Sequence, residues 1–98
     1  ALLLHLSYKN IKKVLKNIQN SNIKYVLLTN SCVFKDFKNY NIIDGGYRPL
    51  NLFKYPFFFS KKYLYKFKDT FHPKTKKTDQ EMILWKKEDF FKDRMFIL

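Results

Sequence analysis

One cysteine, two glycines and three prolines are all that the 98-residue sequence holds of the residues that cross-link, loosen or punctuate a chain. With Cys32 alone, an internal disulfide is excluded; the redox compartment stays open, and a reducing cytoplasm is the default. No apolar run approaches the ~20 residues of a membrane helix. Ala1–Leu6 also lacks the charged leader and cleavage site of a signal peptide. Nothing has the spacing of a metal site. The sequence therefore reads as a soluble, cytoplasmic protein without a metal.

Arginine is scarce too. Lys and Arg number 20 against 8 Asp and Glu, a formal net charge of +12, yet only Arg48 and Arg94 are arginine. Such an excess ordinarily points to nucleic acid or an anionic surface. The lysines, however, are spread rather than clustered, and guanidinium is the better bidentate partner for phosphate and base edges. The enriched Lys, Asn, Ile, Phe and Tyr are also the residues of A/T-rich codons. A solvated lysine coat is the favoured reading, with a nucleic-acid surface as the alternative.

What is present has an order. The sequence opens on Ala1 and an apolar run, as a fragment or processed product beginning inside an element would. Ala1–Leu6, apolar apart from His5, is expected to be a strand buried in a parallel sheet. Ser7 is a helix cap, and Ile11, Val14, Leu15 and Ile18 follow at helical spacing. Asn20–Asn22 ends the helix, and Ile23–Thr29 is a second strand. Residues 1–30 thus form a strand-helix-strand unit with parallel strands, one repeat of a doubly wound fold.

Residues 31–60 form a long aromatic loop punctuated by Gly45-Gly46, Pro49 and Pro56, longer than an ordinary connection. Residues 61–90 are expected to form a terminal antiparallel hairpin from Tyr63–Lys68 and Met82–Lys86, joined by a polar turn with Pro73 and Lys74–Lys77. Glu88–Leu98 is ambiguous: Asp89 could cap, but Phe90, Phe91, Met95 and Phe96 are irregularly spaced. Residues 91–98 read as a tail. The whole is one partial α/β domain.

Three segments carry a resemblance. They are His5-Leu6-Ser7 with Ile11, Leu15, Asn17 and Ile18; Ser21 with Lys24–Thr29; and Gly46-Tyr47-Arg48-Pro49-Leu50-Asn51-Leu52 with Pro56-Phe57. In this order they resemble the C-terminal half of a bacterial and viral group of class I, Rossmann-like S-adenosylmethionine-dependent methyltransferases. The Arg-Pro-Leu-Asn-Leu run is the most specific element. The resemblance implies that Ala1–Leu6 is the fourth strand of a seven-stranded sheet and Ile23–Thr29 the fifth. The hairpin supplies the sixth and seventh, and the last strand runs antiparallel to its neighbours.

The glycine-rich turn and the acidic residue that would hold the cofactor have no counterpart here. Gly45-Gly46 lies in a loop, not at a strand-to-helix turn. The resemblance therefore implies S-adenosylmethionine as cofactor of the complete enzyme, a missing N-terminal half as partner, and an inactive isolated chain. A basic module that binds single-stranded nucleic acid, or an inactive remnant, is the alternative. Oligomeric state and methyl acceptor are open.

The candidate catalytic residue is His5, at a strand end where doubly wound sheets place ligands, with an imidazole able to accept or donate a proton. A purely structural hydrogen bond is its other reading. Arg48, Asn51, Tyr47 and Asn30 are candidates for binding substrate. Arg48 could instead pin the loop, Asn51 could cap a turn, and Asn30 could be an ordinary polar strand end. Tyr47, Phe53, Tyr55 and Phe57–Phe59 could line a substrate pocket, although packing is the favoured role. Trp85 is expected to pack the hairpin, and His72 has no assigned role.

Overall fold

Ile11 and Leu15 do lie on the buried face of a helix, α1, which spans Tyr8–Gln19 in a computed structural model describing residues 2–32, 35–68 and 79–92. Ser7 is its N-cap: the Ser7 Oγ accepts the Asn10 backbone N–H at 3.4 Å. The first turn of α1 contains no acidic residue. A loop carboxylate takes that place, with Asp44 Oδ1 accepting the Ser7 N–H at 2.7 Å, while Asn41 Oδ1 accepts the Tyr8 N–H at 2.8 Å. An anion at this end also meets the positive end of the helix dipole.

These contacts set a pH dependence. The Ser7 backbone N–H, followed by the Ser7 side chain, the Asn10 amide and the Lys13 charge, holds the Asp44 carboxyl below its ordinary 3.8. A carboxyl depressed in the folded state stabilises fully above its unfolded pKa, and that contribution is lost as pH falls through the folded value. The melting temperature of the protein should therefore exceed that of Asp44→Asn at neutral pH, and the difference should shrink as pH drops below 3.8. Melting curves recorded across that window check this; a difference that persisted at the acid end would refute the account.

The sheet has three strands, β1 (Tyr25–Cys32), β2 (Tyr65–Lys68) and β3 (Asp79–Lys86), in the order β1-β3-β2. All pairing is antiparallel. Tyr25 faces Lys86 and Leu28 faces Ile83, while Tyr65 faces Leu84 and Lys68 faces Glu81. The chain is thus mixed α/β. A second helix, α2 (Lys87–Lys92), continues directly from β3 and covers part of the stretch whose spacing was ambiguous. The turn with His72, Pro73 and Lys74–Lys77 lies outside the described residues, as does the tail from 93 to 98.

The first element corrects the sequence reading. Leu2–His5 is a 3-10 helix, not a strand, so the expected parallel strand-helix-strand unit is absent from the described residues. Continuous apolarity cannot separate a short buried strand from a buried turn of helix. Here Leu3 and Leu4 are both buried, and their carbonyls bond to loop residues instead of to a strand ladder.

Alternation gives the sheet two unlike faces. Val26, Ile83 and Trp85 point to one side and are buried with Ile11 and Leu15 of α1, Leu50, Leu52, Phe57 and Phe59 of the loop, and Phe90 of α2. At about 25 cal/mol per Å2 of buried apolar surface, such a cluster is the main stabilising term of so small a domain. On the opposite side Tyr25, Leu27, Tyr65 and Phe67 are each more than half exposed. No helix among the described residues is long and apolar enough to cross a membrane.

Candidate functional site

Arg48 occupies the interior, with no solvent exposure. Its Nη1 donates to Leu3 O at 2.9 Å, Nη2 to Leu6 O at 2.7 Å and Nε to Tyr40 O at 2.9 Å. Its backbone N–H reaches Leu4 O at 3.1 Å. The guanidinium carbon lies 5.5 Å from the centre of the Tyr8 ring. Burial lowers the Arg48 pKa, opposed by the Tyr8 and Tyr40 hydroxyls. Leu3 O and Leu4 O belong to the 3-10 turn and Leu6 O lies just beyond it, while Tyr40 O lies in the loop. In this structure Arg48 ties the loop to the first turn of the chain.

The residues after it form a second tie. Ser31 donates its N–H to Leu50 O at 2.8 Å and accepts the Leu50 N–H on Oγ at 3.2 Å. Asn30, buried at the end of β1, accepts the Leu52 N–H on Oδ1 at 2.6 Å and donates from Nδ2 to Glu81 Oε1 at 2.9 Å. Asn51 Oδ1 accepts the Phe53 N–H at 3.0 Å, a side-chain turn, and its backbone N–H bonds Asn39 Oδ1 at 2.8 Å. Arg48-Pro49-Leu50-Asn51-Leu52 is therefore a staple between the first turn, β1 and the loop.

His5 and Tyr47 are the two candidates brought together at the surface, with ring centres 5.6 Å apart. His5 Nδ1 lies 2.8 Å from Gly46 O. A carbonyl only accepts, so Nδ1 donates, and the neutral ring keeps its lone pair on Nε2. Gly45, at φ +90, is the turn residue that lets its own N–H reach His5 O at 2.9 Å. The glycine pair thus positions His5 through both backbone and ring. Tyr47 is half exposed beside it.

The aromatic stretch divides by exposure. Phe57 and Phe59 belong to the core, stacked at 5.7 Å, while Tyr55 and Phe58 remain open and meet edge to face at 6.2 Å. Tyr55, Phe58, Phe37 and Phe53 line a groove of about 600 Å3 together with Lys38, Asn39 and Lys54. Phe37 and Asn39 carried no role in the sequence reading, because they precede the aromatic stretch and only folding joins them to it. Tyr8 was missed as well. Its buried hydroxyl has no hydrogen-bond partner among the described residues, and burial raises its pKa against the Arg48 charge.

Among the described residues no group of His, Cys, Asp and Glu could hold a metal ion. The Gly45 amide is given to His5 O and the Gly46 amide to Ile43 O, so both are engaged within the loop. No family model, curated protein or solved structure matches the chain.

Proposed function

We propose that the chain is the C-terminal, substrate-side part of a cytoplasmic S-adenosylmethionine-dependent methyltransferase with a doubly wound sheet. The cofactor seat then belongs to a glycine-rich N-terminal half. The observation that carries the reading is the strand order: the last strand, β3, lies between β1 and β2 and runs antiparallel to both. An antiparallel last strand is what the resemblance through Gly46–Leu52 implies.

Two surfaces support a partner half. β1 stands at the sheet edge, and an apolar pocket of about 220 Å3 lies between Leu2 and Leu4 of the 3-10 helix, Val14 and Ile18 of α1, and Leu27 and Leu28 of β1. A parallel strand supplied by the other half would pair there, in place of the strand expected at Ala1–Leu6. Beside it is the sheet face with Tyr25, Leu27, Tyr65 and Phe67, and an apolar sheet face calls for a covering layer.

In this proposal the chain acts by positioning. His5 Nε2 accepts a proton from the methyl acceptor, the glycine turn fixes the imidazole, and Tyr47 forms a wall beside it. Arg48, Asn30 and Asn51 hold the loop that presents them. The test is to read the coding DNA in frame upstream of Ala1, produce the joined protein and measure S-adenosylmethionine binding by calorimetry. Binding by the joined protein and none by the 98-residue chain is the expected result. An upstream region without a glycine-rich turn, or a joined protein that ignores the cofactor, would end the proposal.

A further inference from the structure

The groove formed by Phe37, Phe53, Tyr55 and Phe58 is aromatic on most of its lining. Its volume, about 600 Å3, falls within the range of roughly 300–1,000 Å3 typical of small-molecule pockets. Four of its seven lining residues are aromatic, and two of these rings, Tyr55 and Phe58, stay substantially exposed in so small a domain.

Its charged groups, among the described residues, are of one sign. Lys38 and Lys54 line the groove, and among the described residues no carboxylate does. Lys54 is committed to structure, since its Nζ donates to Lys35 O and Phe37 O. So is Asn39, which donates to Asn51 O at 2.8 Å and Tyr55 O at 2.9 Å and accepts the Asn51 N–H. These bonds brace the groove from below. Lys38, the other lining cation, is exposed and has no such bond among the described residues.

Phe58 adds a backbone observation. It holds φ at +49, a left-handed conformation that bulky residues avoid. Its ring is not repaid by burial, for Phe58 is 42% exposed while its neighbours Phe57 and Phe59 are in the core. Its partner is Tyr55, at the groove wall. A strained residue whose side chain faces a pocket is what a ligand clamp requires.

We propose that this groove binds a planar aromatic ring carrying a carboxylate. The ring stacks against Tyr55 and Phe58, and the carboxylate pairs with Lys38. The proposal is independent of the methyltransferase reading.

The experiment is NMR titration of the 98-residue chain, without cofactor, with three probes: indole-3-acetate, uncharged indole and non-aromatic cyclohexaneacetate. Indole-3-acetate should bind best and shift the ring signals of Tyr55 and Phe58. Phe58→Asn removes the ring while suiting the left-handed backbone, so it should keep its melting temperature and lose about tenfold or more in affinity for indole-3-acetate. Lys38→Gln should weaken indole-3-acetate towards the affinity of indole and leave indole unchanged. Equal binding of all three probes, undiminished binding by Phe58→Asn, or capture of single-stranded oligonucleotide in preference to the acid would overturn the proposal. Because no step uses the cofactor, a joined protein that failed to bind S-adenosylmethionine would leave this result standing.

Discussion

Replacing Arg48 with methionine is expected to unfold the first turn and the loop, and to lower stability by about 2–5 kcal/mol. The argument counts carbonyls. Leu3 O, Leu6 O and Tyr40 O all accept from one fully buried guanidinium, and Leu3 O accepts in addition only the Leu6 N–H, at 3.3 Å, among the described residues. Methionine fills much of the volume but donates nothing, and each orphaned buried carbonyl costs about 1–3 kcal/mol unless water reaches it. A domain with a total near 5–15 kcal/mol has little margin for that loss. Arg48→Lys keeps the charge but not the planar fork, so it should fall between the two. Urea unfolding midpoints provide the measurement, together with hydrogen exchange at the Gly45 and Arg48 amides, which bond His5 O and Leu4 O. If Arg48→Met unfolded at the urea concentration of the parent, the tie would be ornamental.

Trp85→Ala should cost a similar amount, about 3–5 kcal/mol, for a different reason. Trp85 is fully buried on β3, 4.9 Å from Phe90 and 6.4 Å from Phe59, ring centre to centre. Alanine leaves a cavity where the sheet, the loop and α2 meet, and the rigid neighbouring rings cannot collapse into it. The indole also donates from Nε1 to Ser60 O at 2.8 Å. Trp85→Phe therefore separates the two contributions: it restores most of the packing but leaves Ser60 O unpaired, for a loss of about 1–2 kcal/mol. Thermal melting followed by near-ultraviolet circular dichroism distinguishes the variants. A loss below about 1 kcal/mol for Trp85→Ala would mean that the site relaxes freely.

These two residues show where sequence reasoning reached and where it stopped. Ser7 with Ile11 and Leu15 announced α1 because a cap and a 3.6-residue period are local signals. The two later strands were legible in type, and so was their antiparallel pairing. The insertion of β3 between β1 and β2 was not legible in composition or spacing; only the resemblance implied an antiparallel last strand. The 3-10 helix at Leu2–His5 was misread because its partners are the Gly45 and Arg48 amides and a guanidinium far along the chain.

The candidate site divides in the same way. Arg48, Asn30 and Asn51 stood out as polar residues among apolar ones, but the groups they bond are largely backbone atoms, which leave no mark on a sequence. His5 and Tyr47 meet through the Gly45-Gly46 turn, and the turn was visible while the meeting was not. The groove needed Phe37 and Asn39, brought in from before the aromatic stretch. Exposure separated Tyr55 and Phe58 from Phe57 and Phe59 in a run where all four had the same appearance.

The central place of β3 also governs the order of events when the sheet forms. Among the described residues β1 and β2 share no ladder; each pairs with β3, which follows both in the sequence. Among the described residues before Asp79 the chain contains α1, β1 and β2, but no two strands that pair with each other. The arrival of β3 closes both ladders at once, and the long loop-closure entropy of joining Tyr25 to Lys86 is met in that single step. Pairing in this sheet is therefore of high contact order, with its rate set by how quickly β3 finds its slot between two strands that precede it.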